Sequence, residues 1–244
     1  MKRTLTFASR TAKEILRDPL NLGFGLGFPL VLLFLLSAIQ ANIPVPLFEV
    51  THLAPGIAVF GLSFMTLFSA TLIAKDRGSS LLQRLYTTPL KPWDFILGYT
   101  LPMLPIALAQ SAVCYLAAMA LGLAVTVNIL LALLLVIPIS LLYVGLGLLF
   151  GSILADKQVG GICGALLTNL SAWLSGIWFD LELIGGAFQK IAYSLPFVHA
   201  VELERAALAG HLSDILSHLL WVLGYAAVVM ILAVLLFLRQ MKRQ

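Results

Sequence analysis

Residues 95–155 read FILGYTLPMLPIALAQSAVCYLAAMALGLAVTVNILLALLLVIPISLLYVGLGLLFGSILA, and none of them is charged. A helix crosses the hydrocarbon core of a bilayer in about 20 residues, so this stretch is long enough for two spans and too short for three with turns. Glycine, threonine and asparagine interrupt the apolar pattern at 122–128, where the backbone can leave a helix. The stretch therefore predicts a membrane-spanning helical hairpin, with spans at about 95–121 and 129–155.

Four further apolar runs reach spanning length, at about 20–40, 53–74, 159–179 and 219–238. Hydrophobic residues make up 61% of the chain and charged residues 11%, which excludes an ordinary soluble domain. We expect an all-α integral membrane protein with six transmembrane helices, forming a single transmembrane domain over residues 1–244. The first run is longer than the apolar part of a signal peptide and lacks a cleavage site, so we expect it to be a span.

The charges predict the orientation. Six crossings place both termini on one side, and thirteen of the fifteen Lys and Arg residues fall on that side in the predicted topology. The opposite side carries Lys190 and Arg205. Because basic residues concentrate on the cytoplasmic side of membrane proteins, we expect both termini to be cytoplasmic.

Small-residue pairs with GxxxG spacing occur in three of the predicted spans. They are Gly23/Gly27, Gly147/Gly151 and Gly160/Gly164. Such pairs allow two helix backbones to approach closely in lipid. Packing within the chain is the favoured interpretation, and a contact between subunits is the alternative.

The leader, residues 1–19, has apolar residues at helical spacing with charges between them. The apolar positions are Leu5, Ala8, Ala12, Ile15 and Leu16. This pattern predicts an amphipathic helix on the inner membrane surface. A solvated basic leader is the alternative.

The longest cytoplasmic loop, residues 75–94, has the pattern of a short helix. Gly78 breaks the incoming helix, Ser80 and Gln83 fit a capping box, and Thr88-Pro89 ends the new helix. Its apolar face consists of Leu81, Leu82, Leu85 and Tyr86. An apolar face outside the membrane needs a partner, which is either the chain's own helix ends or another subunit.

The region 180–218 is predicted to be external. It contains carboxylates among apolar stretches too short to cross, with Gly185-Gly186 and Pro196 as breaks. Two half-helices dipping into the outer leaflet explain this pattern. An ordinary extracytoplasmic loop is the alternative.

The order of these parts resembles the ABC-2 type permease family, the membrane subunits of type-2 ABC exporters. The loop from Lys75-Asp76-Arg77-Gly78 to Arg84-Leu85-Tyr86-Thr87-Thr88-Pro89-Leu90 is similar to the family's acidic-Arg-Gly and Arg-Leu-x-x-Thr-Pro-Leu signature. The stretch from Ser175-Gly176-Ile177-Trp178-Phe179 through Tyr193-Ser194-Leu195-Pro196 to Ala200-Val201-Glu202 resembles its fifth span and re-entrant region. Gln83 stands where many members place a carboxylate.

The resemblance implies roles for particular residues. ATPase coupling is assigned to Asp76, Arg77, Gly78, Leu81, Leu82, Arg84, Leu85, Tyr86, Thr88 and Pro89. An external gate is assigned to Asp180, Glu182, Pro196, His199, Glu202 and Glu204. The resemblance also implies a bacterial-type plasma (inner) membrane, two copies of a cytoplasmic ABC ATPase, and a second permease copy or a sister permease.

The chain has no P-loop, G-x-x-x-x-G-K-[ST], with which to hold a nucleotide. We therefore expect ATP and Mg to be bound by the partner ATPase. We also expect no catalytic residue, bound cofactor or metal in this chain. We expect no nucleic-acid partner. A hydrophobic or amphipathic cargo is expected, of the drug, lipid or lipid-linked polysaccharide type.

Five residues in the second and fifth spans can be interpreted as lining a largely apolar, weakly polar path for the cargo. They are Phe60, Phe64, Phe68, Asn169 and Trp173. Lipid contact and helix packing are the alternatives for each.

Two other functions remain alternatives. His199, His211 and His218 with the nearby carboxylates include ligand types for a metal-dependent membrane enzyme, although no H-E-x-x-H motif is present. An ion-coupled carrier would usually carry ionisable residues in its span centres, and the predicted span centres have none.

Overall fold

The structure, a computed structural model, describes residues 2–44, 48–79 and 91–241. Every regular element in these residues is a helix. In chain order they are α1 (Lys2–Leu16), α2 (Pro19–Gln40), α3 (Val50–Gly78), α4 (Pro92–Thr100), α5 (Met103–Ala120), α6 (Asn128–Ile153), α7 (Asp156–Val159), the π-helix π1 (Gly160–Leu167), α8 (Thr168–Trp173), α9 (Leu181–Ile184), α10 (Gly186–Ser194), α11 (Pro196–Ala209) and α12 (Leu212–Met241). The predicted all-α class is confirmed.

Within the described residues, five helices are long and apolar enough to cross a membrane. They are Pro19–Gln40, Val50–Gly78, Trp93–Ala120, Asn128–Ile153 and Leu212–Arg239. The hairpin predicted from residues 95–155 is present, and its turn contains Gly122 with a φ of 106°. Within the described residues, the predicted span at 159–179 is the one that does not correspond to a single regular α-helix. That stretch is divided among α7, π1 and α8, and it leaves the helical conformation after Trp173.

The helix α3 is at the centre of the bundle. In an apolar stretch of 18 residues taken from each helix, 89% of the residues are buried for α3, against 17% for α2 and 22% for α12. A helix that is apolar all round is stable only when it is surrounded, either by other helices or by lipid. We conclude that α3 is surrounded by protein, whereas α2 and α12 present apolar faces outward.

The contacts of α3 and α6 define two ends of the bundle. At one end, which we call the α1 end, Asp76 of α3 contacts α1. At the other, which we call the α11 end, the carbonyl of His52 accepts a hydrogen bond from Arg205 of α11. The side chain of Asn128 at the start of α6 also contacts α11, through the carbonyl of Leu208. Thus α3 and α6 run in the same direction and connect the two ends.

The GxxxG pairs differ in what they contact. A Cβ on Gly147 would lie 2.6 Å from the Thr66 carbonyl oxygen, and one on Gly151 would lie 2.8 Å from that of Ala70. This pair packs α6 against the backbone of α3, as predicted for contacts within the chain. A Cβ on Gly23 or Gly27 would meet nothing within 4 Å, so that pair faces outward.

The packed face of α1 agrees with the predicted one only in part. Leu5 and Leu16 were assigned to the apolar face, but they are 58% and 66% exposed. Ala8 and Ile15 of the predicted face are buried, and Thr4, Phe7 and Thr11 complete the buried face. The reason is that α1 packs against α4, whose polar and aromatic groups select threonine and phenylalanine rather than the most apolar positions.

The region between Trp173 and α12 contains three short helices rather than the two predicted. Gly185 has a φ of 61° and separates α9 from α10, and Pro196 begins α11. Gly210, with a φ of 76°, ends α11, and α12 begins at Leu212. The predicted boundary at 218 is therefore inside α12, because that helix extends for two turns beyond its apolar part.

Candidate functional site

The Asp76 carboxylate, near the end of α3, joins three helices. It is 3% exposed and accepts two hydrogen bonds from the Arg10 guanidinium of α1, at 2.6 and 2.8 Å. A third comes from the Tyr99 hydroxyl of α4, at 2.8 Å. A buried carboxylate is costly unless it is paired and hydrogen-bonded, and these three donors provide that compensation.

The N-terminal half of α1 contacts the beginning of α4. The Thr4 hydroxyl donates a hydrogen bond to the Asp94 carboxylate at 2.5 Å. The Phe7 ring packs edge-on against the ring of Tyr99, with centroids 5.0 Å apart. A Cβ on Gly98 would lie 2.1 Å from the Phe7 ring, so the absence of a side chain at this position lets α1 approach α4.

These contacts form one unit, which we call the α1 clamp. It consists of Thr4, Phe7 and Arg10 of α1, Asp76 of α3, and Asp94, Gly98 and Tyr99 of α4. The end of α3 and the start of α4 are the two helix ends that flank the loop 75–94. The α1 clamp therefore holds both ends of that loop against a single helix.

Arg77 connects the same end of α3 to α6. Its guanidinium donates hydrogen bonds to the carbonyl oxygens of Ser152 and Leu154, the latter at 2.6 Å. Carbonyl groups at the end of a helix have no partner within the helix, and a cation there also interacts favourably with the helix dipole. Asp76 and Arg77 together tie the last turn of α3 to α1, α4 and α6.

At the α11 end, Arg205 joins three segments. Its guanidinium pairs with Glu202 at 2.8 Å. It also donates hydrogen bonds to the carbonyl oxygens of Gly176 at 3.1 Å and His52 at 3.4 Å. These contacts tie α11 to the beginning of α3 and to the segment that follows α8.

His199 forms a second contact at this end. Its Nε2 lies 3.0 Å from the carbonyl oxygen of Tyr193, which can only accept, so Nε2 carries the proton. Its Nδ1 then accepts from Nδ1 of His218, 3.0 Å away, and its ring stacks on that of Trp221. Burial lowers the pKa of His199, which favours this neutral form.

Glu204 lies inside the bundle. Its carboxyl is 0% exposed, and Oε2 accepts a hydrogen bond from the Tyr115 hydroxyl of α5 at 2.5 Å. Burial raises the pKa of Glu204 to about 8, against the opposing effect of the Tyr115 bond. Glu204 therefore has a different environment from its neighbour Glu202, which is paired with Arg205 at the surface.

A model of the ABC-2 type transporter family matches residues 2–209. The chain belongs to the ABC-2 type transporter family. The match includes α1 and α11 and therefore both ends of the bundle. A search of curated proteins finds no match.

The family membership confirms the resemblance recognised in the sequence. An ABC-2 chain is a membrane component of an ABC transporter, and such components are generally not catalytic themselves. Together with the long apolar helices, it makes this chain a multi-pass membrane protein. It also implies an ATPase partner.

The coupling residues predicted for this ABC-2 chain fall into two groups. Asp76, Arg77 and Gly78 lie at the end of α3, where the first two make the contacts given above. The others lie outside the described residues; they are Leu81, Leu82, Arg84, Leu85, Tyr86, Thr88 and Pro89. Their role stays a prediction.

The structure separates the predicted gate residues of the ABC-2 chain. Asp180, Glu182 and Glu202 line one cavity at the α11 end, together with Arg205. His199 instead packs on Trp221. Pro196 begins α11, and Glu204 lies between α11 and α5.

The five residues of the predicted cargo path have different surroundings in this ABC-2 chain. Phe60, Phe64 and Phe68 are buried, and Phe60 and Phe64 pack against Phe28 of α2. Trp173, on α8, is half exposed. The exposed side chain of Asn169 donates a hydrogen bond to the Ala165 carbonyl of its own helix.

The sequence reasoning missed most of the ABC-2 chain's α1 clamp and the partner of Glu204. The missed residues are Thr4, Phe7, Arg10, Asp94, Gly98, Tyr99 and Tyr115. One signal was available: Asp94 and Tyr99 flank the start of a span, where polar side chains need a partner outside the lipid. Nothing in the pattern indicated that this partner was α1.

The described residues contain no group of three or more His, Cys, Asp or Glu side chains placed to hold a metal ion. His199 and His218 meet as a pair, stacked against Trp221 and bonded to a backbone carbonyl. This arrangement gives no support to the metal-dependent enzyme.

Proposed function

We propose that the chain is the permease subunit of an ATP-driven exporter. In this proposal it moves a hydrophobic or amphipathic cargo, of the drug, lipid or lipid-linked polysaccharide type, outward across a bacterial-type inner membrane. A separate cytoplasmic ATPase, present in two copies, binds ATP and Mg²⁺ and supplies the energy. Two permease copies, or this chain and a sister permease, enclose the pathway.

The α1 clamp is the observation that carries the proposal. An ATPase that docks on the loop 75–94 pushes or pulls on the end of α3 and the start of α4. Both helix ends are fixed to α1 through Arg10, Thr4 and Phe7, so they move as one body instead of bending independently. Since α3 is the central helix and crosses the whole bundle, displacement of its end is transmitted to the α11 end.

The distribution of basic residues supports a cytoplasmic α1 end. Arg10, Lys75 and Arg77 lie there, on α1 and at the end of α3, and Lys157 follows the adjacent end of α6. Lys190 and Arg205 lie on α10 and α11 at the other end. This asymmetry follows the positive-inside rule when the termini are cytoplasmic.

The helical run from α7 to α8 supports six crossings. It covers residues 156–173 without interruption, and at about 1.5 Å per residue it is nearly as long as the hydrocarbon core is thick. The π-helix inside it fits a crossing that is not a regular α-helix, since π-bulges occur mostly inside α-helices and frequently at functional sites. A sixth crossing returns the C-terminus to the side of the N-terminus.

The cavity lined by Asp180, Glu182 and Glu202 supports an exit at the α11 end. Aromatic side chains of Trp178, Phe179 and Tyr193 line the same cavity. Its mixture of apolar rings and carboxylates suits amphipathic cargo leaving an apolar interior for water. The Arg205 contacts to Glu202, Gly176 and His52 would have to break or move if α11 swings aside.

Simultaneous replacement of Leu82, Leu85 and Tyr86 by alanine tests the docking surface. We expect the variant to fold and insert normally but to lose its partner ATPase during affinity purification of the complex from co-expressing cells. The physical reason is that docking buries the predicted apolar face, and each lost side chain removes about 1–3 kcal/mol of transfer free energy. Binding is measured as the amount of ATPase recovered per permease.

The matched control replaces Leu212, Leu216 and Leu220 of α12, three exposed leucines at the α11 end, by alanine. We expect full ATPase recovery with this control. Undiminished recovery with the Leu82, Leu85 and Tyr86 variant would contradict the assignment of the docking surface. Transport driven by an ion gradient without any ATPase would contradict the proposed function itself.

A further inference from the structure

The Glu204 carboxyl reaches from α11 to Tyr115 of α5 without full compensation for its burial. Its Oε2 accepts the Tyr115 bond, and its Oε1 has no hydrogen-bond partner. Asp76, the other buried carboxylate of the described residues, is held by three donors, two of them from a cation. Glu204 therefore lacks the compensation that Asp76 has.

In the part of the chain that the structure describes, no cation faces Glu204. Arg205, the next residue, is turned toward Glu202 and two backbone carbonyls. On α5 the titratable groups nearby are Tyr115 and its neighbour Cys114. From the described parts of α3, α6, α10 and α12, no titratable group interacts electrostatically with Glu204. A carboxylate with one neutral donor in an apolar interior is unfavourable, whereas a carboxylic acid is tolerated.

We propose that Glu204 is a proton-binding site, whose protonated carboxyl holds α11 against α5 and whose deprotonation releases α11 from α5. The first half of this inference concerns the isolated permease and is independent of transport. Only the step from release of α11 to opening of an exit rests on the proposed exporter function.

The direction of the pH dependence follows from the two environments of the carboxyl. Burial raises the pKa of docked Glu204 to about 8, above the ordinary value of 4.5 that applies when α11 is released. At a pH between these two pKa values, docking of α11 against α5 is therefore accompanied by the uptake of a proton. The docked state is fully favoured below the lower value and loses stability as the pH rises toward the higher one, by about tenfold in the docking equilibrium per pH unit.

Carbodiimide labelling of the purified permease in lipid nanodiscs tests the protonation. Dicyclohexylcarbodiimide reacts with protonated carboxyls in apolar surroundings, and mass spectrometry identifies the modified peptide. We expect Glu204 to be labelled at neutral pH, and the labelling to decline as the pH passes about 8. Y115F should move the decline to higher pH, because the Tyr115 bond favours the charged form.

The matched control is D214N, which removes an exposed carboxyl at the start of α12. It should leave the Glu204 label unchanged, whereas E204Q should abolish it. Labelling of Glu204 no stronger than that of Asp214 at neutral pH would overturn the proposal. So would a Y115F profile that shifts to lower pH.

A thiol on α11 tests the release. Ala207 lies one turn after Glu204 and is 0% exposed, so A207C in a chain with Cys114 and Cys163 replaced by alanine reports on exposure of this face. The maleimide labelling rate is measured with Glu204 present and with E204Q, and the ratio of the two rates cancels the ionisation of the thiol itself. We expect the ratio to rise with pH, by up to about tenfold per unit.

A ratio that does not change with pH would overturn the proposed release. Neither experiment contains an ATPase or a cargo, so both outcomes are separate from the test of the docking surface. If the permease binds its ATPase through Leu82, Leu85 and Tyr86 but shows no pH dependence at Ala207, the exporter function stands and the proton site does not.

Discussion

Replacement of Arg10 by alanine is expected to lower the stability of the permease and to uncouple it from its ATPase. The substitution leaves the Asp76 carboxylate buried with only the Tyr99 hydroxyl as partner. Breaking a buried ion pair costs about 3–5 kcal/mol, and we expect the lower end because the Arg10 side chain is 35% exposed. Stability is measured as the thermal unfolding midpoint in nanodiscs, and coupling as permease-stimulated ATP hydrolysis by the complex.

Lys13→Ala is the matched control, because Lys13 is an exposed cation on the same helix. We expect it to change neither measurement. A second comparison combines Arg10→Ala with Asp76→Asn, which removes the unpaired charge as well. The double variant should be more stable than the sum of the two single losses predicts, and strict additivity would show that Arg10 and Asp76 do not interact as described.

Gly147→Leu is expected to be the most damaging single substitution in the span contacts. A side chain at this position meets the backbone of α3 at Thr66, which cannot move aside as a flexible side chain can. We expect a loss of about 3 kcal/mol or more, at or beyond the upper end of ordinary overpacking in a core. The measurement is the unfolding midpoint, together with the yield of folded permease.

Gly27→Leu is the control for this substitution. A Cβ on Gly27 meets nothing within 4 Å, and leucine favours the helical conformation more than glycine does. The stability of a single chain should therefore be unchanged or slightly higher. If Gly147→Leu is tolerated as well as Gly27→Leu, the packing of α6 on α3 is wrong.

The sequence was sufficient for features that depend on composition along the chain. Residues 95–155 predicted a hairpin because an uncharged stretch of this length fits two membrane-spanning helices. Gly122 lies in the turn between them. The stretch 159–179 was harder, because hydropathy measures length and not regularity. Its glycines at 160, 161 and 164 permit a π-helix that no apolar periodicity reveals.

The contacts that give α1 its role could not be predicted in this way. Arg10 and Asp76 are 66 residues apart, and in the sequence each has closer charged neighbours with which it could pair. Leu5 was chosen for the apolar face by its hydropathy, whereas Phe7 is the residue that fits against Gly98. Only the position of α4 relative to α1 distinguishes these alternatives.

Glu202 and Glu204 show the same limit at the α11 end. The family resemblance implies one role for both, as carboxylates of an external gate. On a helix, residues two apart point in nearly opposite directions, so Glu202 meets Arg205 at the surface while Glu204 enters the bundle toward Tyr115. Their chemistry differs because their surroundings differ, and those surroundings come from α5, some 90 residues earlier in the chain.

In the proposed mechanism, α1 and the two helix ends around the loop 75–94 move as one body when the ATPase acts. Thr4 and Asp94, which contact each other at 2.5 Å, can be replaced by cysteines and joined by a short thiol cross-linker in a chain lacking Cys114 and Cys163. We predict that the cross-linked permease stimulates ATP hydrolysis as strongly as the same variant before cross-linking. Loss of stimulation on cross-linking, with recovery when the linker is cleaved, would show that α1 must move relative to α4 and would contradict this account.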